Sequence, residues 1–387
     1  KNKMKIAIIA GTFFPHKGGV QVEIHNLANK LVEEGNKVDV HVFKKVKLNN
    51  NLYNIIKLNY FYLSSLYFIK YYLNINLQKL HNLIKFNFID LNYQVYHFSF
   101  LNFKSLILIE YLKIHKKKII ITFHGADIQI DRNINYGFRI NYKYNKYLLK
   151  IIKSIDAFQC ISGEIYKDLL KLGIDKKKIV KISNSIYLNK FNLKKSTPNL
   201  NKQLNLITVG RYAKYKKGFD LIPILGKKLI INKINFTWKI IGENSSLIYQ
   251  DKFILKNKKN FISMPNINNN SEKYYPPKKL IRQYLNSHLY VNLARIESFG
   301  LTFVEALASK TVIISLGSTG INKILMNKKI GFFVKNINQM VKILKKIQAN
   351  EKILYKIQKN TRQSVRAFDL NKNIKKIILF YTKFINY

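Results

Sequence analysis

Two glutamates bracket the segment Glu297-Ser-Phe-Gly-Leu-Thr-Phe-Val-Glu305, in a chain that is poor in acids. Glu297 follows the apolar run His288–Leu293, and Glu305 falls inside a helix expected over Phe299–Ala308. Unpaired N–H groups at the start of such a helix, around Phe299–Thr302, favour an anion there. A carboxylate within the helix can accept two ribose hydroxyls, and one just before it can meet a sugar. The bland alternative is a first-turn acid balancing the helix dipole and an ordinary helix acid. That alternative leaves Ser298-Phe299-Gly300 without a reason. A second constellation is Gly210-Arg211 with Lys217-Gly218, after the run Leu204–Val209. A guanidinium fork and an ammonium point charge together suit a diphosphate, the alternative being two solvated surface cations. A third is His124-Gly-Ala-Asp127, after Lys118–Phe123. Here the alternative is a His capping the strand and an Asp capping the next helix. Gly18-Gly19 opens a helix after the first apolar run, where backbone can approach a phosphate or merely turn tightly.

Something must hold these residues at one edge, and the spacing of apolar residues says what. Lys5–Ala10 reads as a strand that ends in a turn with Pro15, Gly18 and Gly19. Val20, Ile24, Leu27, Ala28, Leu31 and Val32 recur at helical spacing, and Gly35 closes that helix. Further strands are expected at Lys37–Phe43, Gln94–Phe98, Lys118–Phe123, Asp156–Ile161 and Lys178–Ser183. The polar stretch Leu188–Gln203 with Pro198 reads as a linker. Leu204–Val209, a helix over Gly218–Ile231, Phe236–Ile241, His288–Leu293, Phe299–Ala308 and Thr311–Ser315 continue the alternation. From Asn336 onward the chain reads mostly as helix. Alternation of this kind predicts two parallel sheets covered by helices, with ligands at the carboxyl ends of the strands.

The 387 residues suit two domains, and a hydrophobic fraction of 47% excludes a disordered chain. With one cysteine, Cys160, no intramolecular disulfide is possible. A reducing compartment is therefore expected, with Cys160 a core residue. No secretion signal is visible at Lys1–Ala10, and Leu58–Ile69 is too short to span a bilayer. Lys and Arg number 68 against 20 Asp and Glu, a net charge of +48. Either an anionic partner or the A- and T-only codons of Lys, Asn, Ile, Phe and Tyr accounts for this excess. In both cases the surface is drawn to anionic membranes. The cations are spread along the chain and no nucleic-acid module appears, so no specific nucleic-acid partner is expected. His16, His25, His97 and His124 lack metal-ligand spacing, so no metal is expected.

Taken in order, these motifs resemble the retaining glycosyltransferases of the GT-B fold, family 4. The matching elements are Gly18-Gly19, His124-Gly-Ala-Asp127, Ile182-Ser-Asn-Ser185, Val209-Gly-Arg211 with Lys217-Gly218, Ile241-Gly242-Glu243, and the Glu297–Glu305 block. The resemblance covers nearly the whole chain. It implies two Rossmann-like domains facing across a cleft: residues 1–190 on the acceptor side and 204–368 holding the nucleotide-sugar. Residues 369–387 would form a helix returning to the first domain. It also implies Glu297, His124 and Asp127 as catalytic residues, with His124 near the sugar and the departing phosphate. Donor contacts would come from Gly18, Gly19, Arg211, Lys217, Gly242, Ser298, Phe299, Gly300, Leu301, Thr302 and Glu305. The donor is expected to be a UDP-sugar in preference to a GDP-sugar, with no cofactor. Two features depart from the family. Asn322 and Lys323 stand after Gly317-Ser-Thr-Gly320 where an acid is common, and Ser183 stands where Gly is usual.

The family often places its acceptor and membrane surface in the first domain. Asn59–Asn74, dense in Tyr, Phe and Leu with Lys57, Lys70 and Lys79 near it, reads as an interfacial helix or as an ordinary core helix. The expectation is a cytoplasmic enzyme, peripheral on the inner face of the plasma membrane. It would add a sugar to a lipid-linked, lipopolysaccharide or other cell-surface glycan. A soluble polysaccharide synthase of the same fold and an inactive nucleotide-sugar binder are the alternatives.

Overall fold

The computed structural model describes residues 3–15, 18–72, 77–83, 87–194, 203–267, 272–317 and 330–386. Residues 195–202 of the expected linker and residues 318–323 of the atypical glycine loop lie outside them. The chain divides into two compact units. The first takes the described residues of Lys1–His16, Val20–Asn184 and Asn371–Tyr387; the second takes those of Lys17–Gly19 and Ser185–Leu370.

In the first unit seven strands form one parallel sheet, in the order β3-β2-β1-β4-β5-β6-β7. They are β1 (Lys5–Ala10), β2 (Lys37–Val42), β3 (Asn54–Lys57), β4 (Val95–Ser99), β5 (Ile119–Thr122), β6 (Ala157–Cys160) and β7 (Ile179–Lys181). The central strands β1, β4 and β5 are buried on both faces, which is why they read as unbroken apolar runs. Cys160 is buried, and burial pushes its thiol up to about 11, as befits a core residue. The C-terminal helix Leu370–Asn386 lies in this unit from Asn371 onward. It buries Ile374, Ile377, Tyr381 and Phe384, and the Tyr381 hydroxyl meets His97 Nδ1 at 2.6 Å.

The second unit carries a six-stranded parallel sheet, β10-β9-β8-β11-β12-β13. Its strands are β8 (Leu204–Val209), β9 (Phe236–Ile241), β10 (Phe261–Met264), β11 (Leu289–Asn292), β12 (Val312–Leu316) and β13 (Gly331–Val334). Trp238 is fully buried in its core, with the indole N–H on Thr208 Oγ1 at 3.0 Å. The helix expected over Gly218–Ile231 begins later. Residues Phe219–Leu221 form a 3-10 turn and the α-helix runs Ile222–Ile231, with Pro223 in its first turn where no N–H is needed. Among the described residues no helix is long and apolar enough to cross a membrane, and no group of three or more His, Cys, Asp or Glu could hold a metal ion.

The first helix, Gly19–Glu33, has an unusual inner face. Beside Ile24, Leu27, Ala28 and Leu31 it buries Gln21, Glu23, His25, Asn26 and Asn29. Tyr53 and Asn29 satisfy both nitrogens of His25, and Thr12 takes the amide of Gln21. Glu23 has no ion pair among the described residues, and burial pushes its carboxyl up to about 8. The folded chain thus holds a proton that the unfolded chain, near 4.5, gives up. Stability from this group is complete below 4.5 and is lost as pH rises to about 8. Glu23→Gln is expected to melt close to the parent at pH 4.5 and above it at pH 8. The gain should be ~2–4 °C for each kcal/mol of charge burial removed, read from thermal melts across that range.

Candidate active site

All strands of each sheet run the same way, so their carboxyl ends gather at one edge, and the singled-out residues lie there. In the first unit that edge is knotted by side chains. Asn102 donates from Nδ2 to the Gly11 carbonyl at 2.6 Å, and its Oδ1 caps the helix Phe103–Ile114. Asp127 is fully buried. Its carboxylate accepts from the backbone N–H of His124 (3.0 Å), Gly125 (2.8 Å) and Leu101 (3.1 Å). It does not cap the following helix, Tyr142–Ile152, which Asn141 caps. The carboxylate ties the end of β5 to the end of β4 and so fixes the loop bearing His124.

His124 is itself almost buried, with Nε2 2.9 Å from Ser99 Oγ. Burial, helped by His97, drives its pKa down to about 3, so the imidazole is neutral near pH 7. His97, on the same face of β4 as Ser99, lies between Tyr381 and Thr122 Oγ1, the latter at 2.7 Å. Ser99 pairs with Thr122 across the two strands. Three polar side chains, His97, Ser99 and Thr122, thus share one sheet face behind His124, and Tyr381 reaches them from the C-terminal helix. Ser99 and Thr122 were not singled out in the sequence, because isolated hydroxyls in apolar strands carry no pattern.

In the second unit the loop after β8 carries Gly210, Arg211 and Lys217, and Arg211 is exposed. Gly242, just after β9, lies against that loop. A Cβ on it would sit 2.1 Å from the Gly210 carbonyl oxygen and 3.2 Å from Arg211 N, and its φ is +152°. Only glycine lets these two strand ends meet so closely. Lys217 forms an ion pair with Glu297, so the structure brings two residues predicted from separate motifs into contact. A clamp unforeseen in the sequence aligns them. Arg295 donates both guanidinium nitrogens to the two oxygens of Asp220, each at 2.8 Å, and NH1 also to the Tyr215 carbonyl. The scarcity of Arg beside abundant Lys was the one signal for it, since a planar fork is what a bidentate clamp needs.

The expected helix over Phe299–Ala308 runs Leu301–Ala308 and starts later than expected, because Gly300 is left-handed at φ +90°. No side chain caps it, so its first amides stay available to a ligand. Ser298, Phe299 and Leu301 are buried, Phe299 against Phe368 with ring centroids 5.7 Å apart, and Thr302 Oγ1 meets Tyr290 OH at 2.8 Å. These contacts anchor the turn while Glu297 and the helix start remain at the edge. Glu305 is buried and accepts from Tyr284 OH at 2.9 Å. Burial raises its carboxyl to about 7, opposed by the tyrosine bond and the charge of Lys190. Gly18 is half-buried and Gly19 begins the first helix; both group with the second unit. His124 and Asp127 belong to the first unit.

Two parallel α/β sheets of this kind make up the GT-B fold. Residues 17–190 match Glycosyltransferase Family 4, and residues 189–364 match Glycosyl transferases group 1. The chain belongs to the group 1 glycosyltransferases of the GT-B fold. An uncharacterized glycosyltransferase of Methanocaldococcus jannaschii is 24% identical over 254 residues, which take in 60% of this chain. The chain spans 64%, slightly under two thirds, of that curated relative's length. Among solved structures, a glycosyltransferase from Rickettsia africae is 18% identical, with coverage of 100% and 99% of the two chains and a TM-score of 0.69. HepE of Anabaena, solved with UDP-glucose, is 12% identical over 98% of this chain and 100% of its own, with a TM-score of 0.73. WaaG, a glycosyltransferase involved in lipopolysaccharide biosynthesis, is 14% identical over 97% and 99%, with a TM-score of 0.69.

The glycine contact gives a direct test. Gly242→Ala puts a methyl group into the Gly210 carbonyl at a positive φ. It is expected to cost more than ~1 kcal/mol. A thermal melt should show Tm lowered by at least ~2–4 °C.

Proposed function

We propose that this chain transfers a sugar from a nucleotide-sugar, with a UDP-sugar favoured, to a hydroxyl of a lipid-linked, lipopolysaccharide or other cell-surface glycan acceptor, with retention at the anomeric carbon. The observation that carries this is the Lys217–Glu297 pair, set immediately before an uncapped helix start with Glu305 inside the same helix. That order of charges matches a donor read from end to end. Glu305 takes the ribose hydroxyls, Lys217 and Arg211 take the diphosphate together with the amides of Leu301 and Thr302, and Glu297 takes the sugar. Binding of UDP-glucose by Anabaena HepE supports the choice of base.

Cleavage of the anomeric C–O bond leaves positive charge on the sugar and negative charge on the diphosphate. Fixed cations and helix amides aimed at the diphosphate lower that barrier. The acceptor oxygen attacks from the face the diphosphate leaves, and a departing phosphate oxygen takes its proton. The family resemblance assigns His124 to the transferred sugar. Asp127, whose carboxylate is spent on backbone amides, acts by holding His124 in place. No step needs a metal or a cofactor.

Two measurements test the donor site. Arg211→Ala is expected to weaken UDP-sugar binding by about 10–100-fold in calorimetric titration, as loss of a charge-assisted bond does. An ionised Glu305 accepts two hydroxyls and a protonated one does not. Affinity should therefore fall by up to about tenfold per pH unit below about 7, and Glu305→Gln should flatten that dependence. Unchanged donor affinity in both variants would overturn the assignment.

A peripheral membrane position rests on the helix Tyr60–Tyr72. One side is core: Leu63 and Leu66 are buried, and Lys70 pairs with Glu110 on the neighbouring helix. The other side shows Phe61 at 81% exposure, Phe68 at 54% and Tyr72 at 58%, with Lys143 Nζ 3.5 Å from the Tyr72 ring centroid. The core reading accounts for the first side, and the interfacial reading is proposed for the second. Exposed aromatic rings among lysines, on a chain of +48, suit the headgroup region of an anionic bilayer. The acceptor would then be met where it is anchored. The protein is expected to sediment with phosphatidylglycerol vesicles and much less with phosphatidylcholine. Phe61→Ser with Phe68→Ser should reduce that binding by about tenfold or more. Equal binding by the double variant would remove the helix from the interface.

A further inference from the structure

The bond between Ser99 and His124 decides what His124 can do. Ser99 is buried at the end of β4, and its hydroxyl meets one partner among the described residues, His124 Nε2 at 2.9 Å. A serine hydroxyl has one proton to give and two lone pairs. Two proton arrangements are available. If Nε2–H donates to Ser99, the serine proton is left in a buried place with no acceptor, which costs about 1–3 kcal/mol. If Ser99 donates to Nε2, that proton is satisfied, and the imidazole's own proton moves to Nδ1. Nδ1 makes no hydrogen bond among the described residues, and it is not among the sealed polar atoms left without one. A proton there meets solvent or a ligand at no desolvation cost. The second arrangement leaves no buried donor unpaired.

We propose that Ser99 is a positioning residue that locks His124 as the Nδ1–H tautomer, so that the ring faces substrate as a neutral hydrogen-bond donor to an oxygen and not as a base. The only lone pair of such a ring is already engaged by the serine, so His124 has nothing with which to take the acceptor proton. That proton must leave by another route, which agrees with its transfer to the departing phosphate. Asp127 contributes from the other side. It fixes the backbone of His124 through the N–H groups of residues 124 and 125, so the ring is held at both its main chain and its far nitrogen.

This inference rests on the reading of His124 as a residue of the active site, and the test separates the two. Two-bond nitrogen–proton correlation spectra of the full-length, nitrogen-15-labelled protein report the tautomer of each histidine. His124 is assigned from His124→Gln. The wild type is expected to show His124 protonated at Nδ1. In Ser99→Ala it should revert to Nε2–H, the form free imidazole favours in water, and Ser99→Thr should restore Nδ1–H. Turnover in Ser99→Ala should fall by ~10–100-fold, the usual size for a residue that orients a functional group. The loss should lie in kcat, with little change in KM for the acceptor, and Ser99→Thr should recover most of it. Titration with UDP and with UDP-glucose should move the Nδ1–H resonance. A shift with UDP places the partner oxygen on the phosphate, and a shift with UDP-glucose alone places it on the sugar. An Nε2–H ring in the wild type overturns the proposal, as does a Ser99→Ala protein with an unchanged tautomer. If His124→Gln turns over normally while the tautomer is as expected, the site assignment fails and the serine lock stands.

Discussion

Backbone amides at the end of a parallel sheet must find partners, and the whole arrangement of this protein follows from how they do so. In a parallel sheet every strand stops at the same edge, and each loop there carries N–H groups that the ladder no longer satisfies. The first unit closes these groups with its own side chains. Asp127 collects three amides and Asn102 caps a helix while holding the Gly11 carbonyl. The second unit leaves its edge open. Gly242 and Gly300 bring backbone close without filling the space, and the helix Leu301–Ala308 starts with no side-chain cap. One edge is therefore a rigid mount for a single imidazole, and the other presents a helix start with no side-chain cap.

Burial then sets the charge state of each group on these edges. His124 is forced neutral and the carboxyl of Glu305 is raised to about 7, whereas Arg211 lies exposed. The aromatic network behind the first edge has a comparable logic. Tyr381 from the C-terminal helix reaches His97, and His97 reaches Thr122, so the last helix of the chain supports the strand that carries Ser99.

What could be read in the sequence divides along physical lines. Central strands were legible because burial on both faces demands continuous apolar runs, and the glutamate, arginine and lysine motifs were legible because polar chemistry interrupts such runs abruptly. Three strands were not foreseen: Asn54–Lys57, Phe261–Met264 and Gly331–Val334. All three lie at sheet edges, have four residues and are partly exposed, so they lack the apolar pattern that marks an interior strand. The start of the helix at Leu301 was placed two residues early, because nothing in Phe299-Gly300 distinguishes a helical glycine from a left-handed one. Ser99, Arg295, Asp220 and Tyr284 were invisible for another reason. Each acts through a partner distant in sequence, and no local spacing encodes that partner.

The pairing of Lys217 with Glu297 bears on a problem that so basic a chain must face. Phosphate is everywhere in a cell, and a surface of +48 would collect it indiscriminately. A lysine already neutralised by its own carboxylate is a poor trap for a passing anion, because taking the anion strands Glu297 beside a second negative charge. A ligand that presents phosphate to the lysine and hydroxyls to the glutamate escapes this penalty, since it supplies a new partner to both. The internal pair thus lowers the free positive charge at this point of a strongly basic chain, and it does so with a contact that only a ligand offering a partner to each side chain replaces without loss.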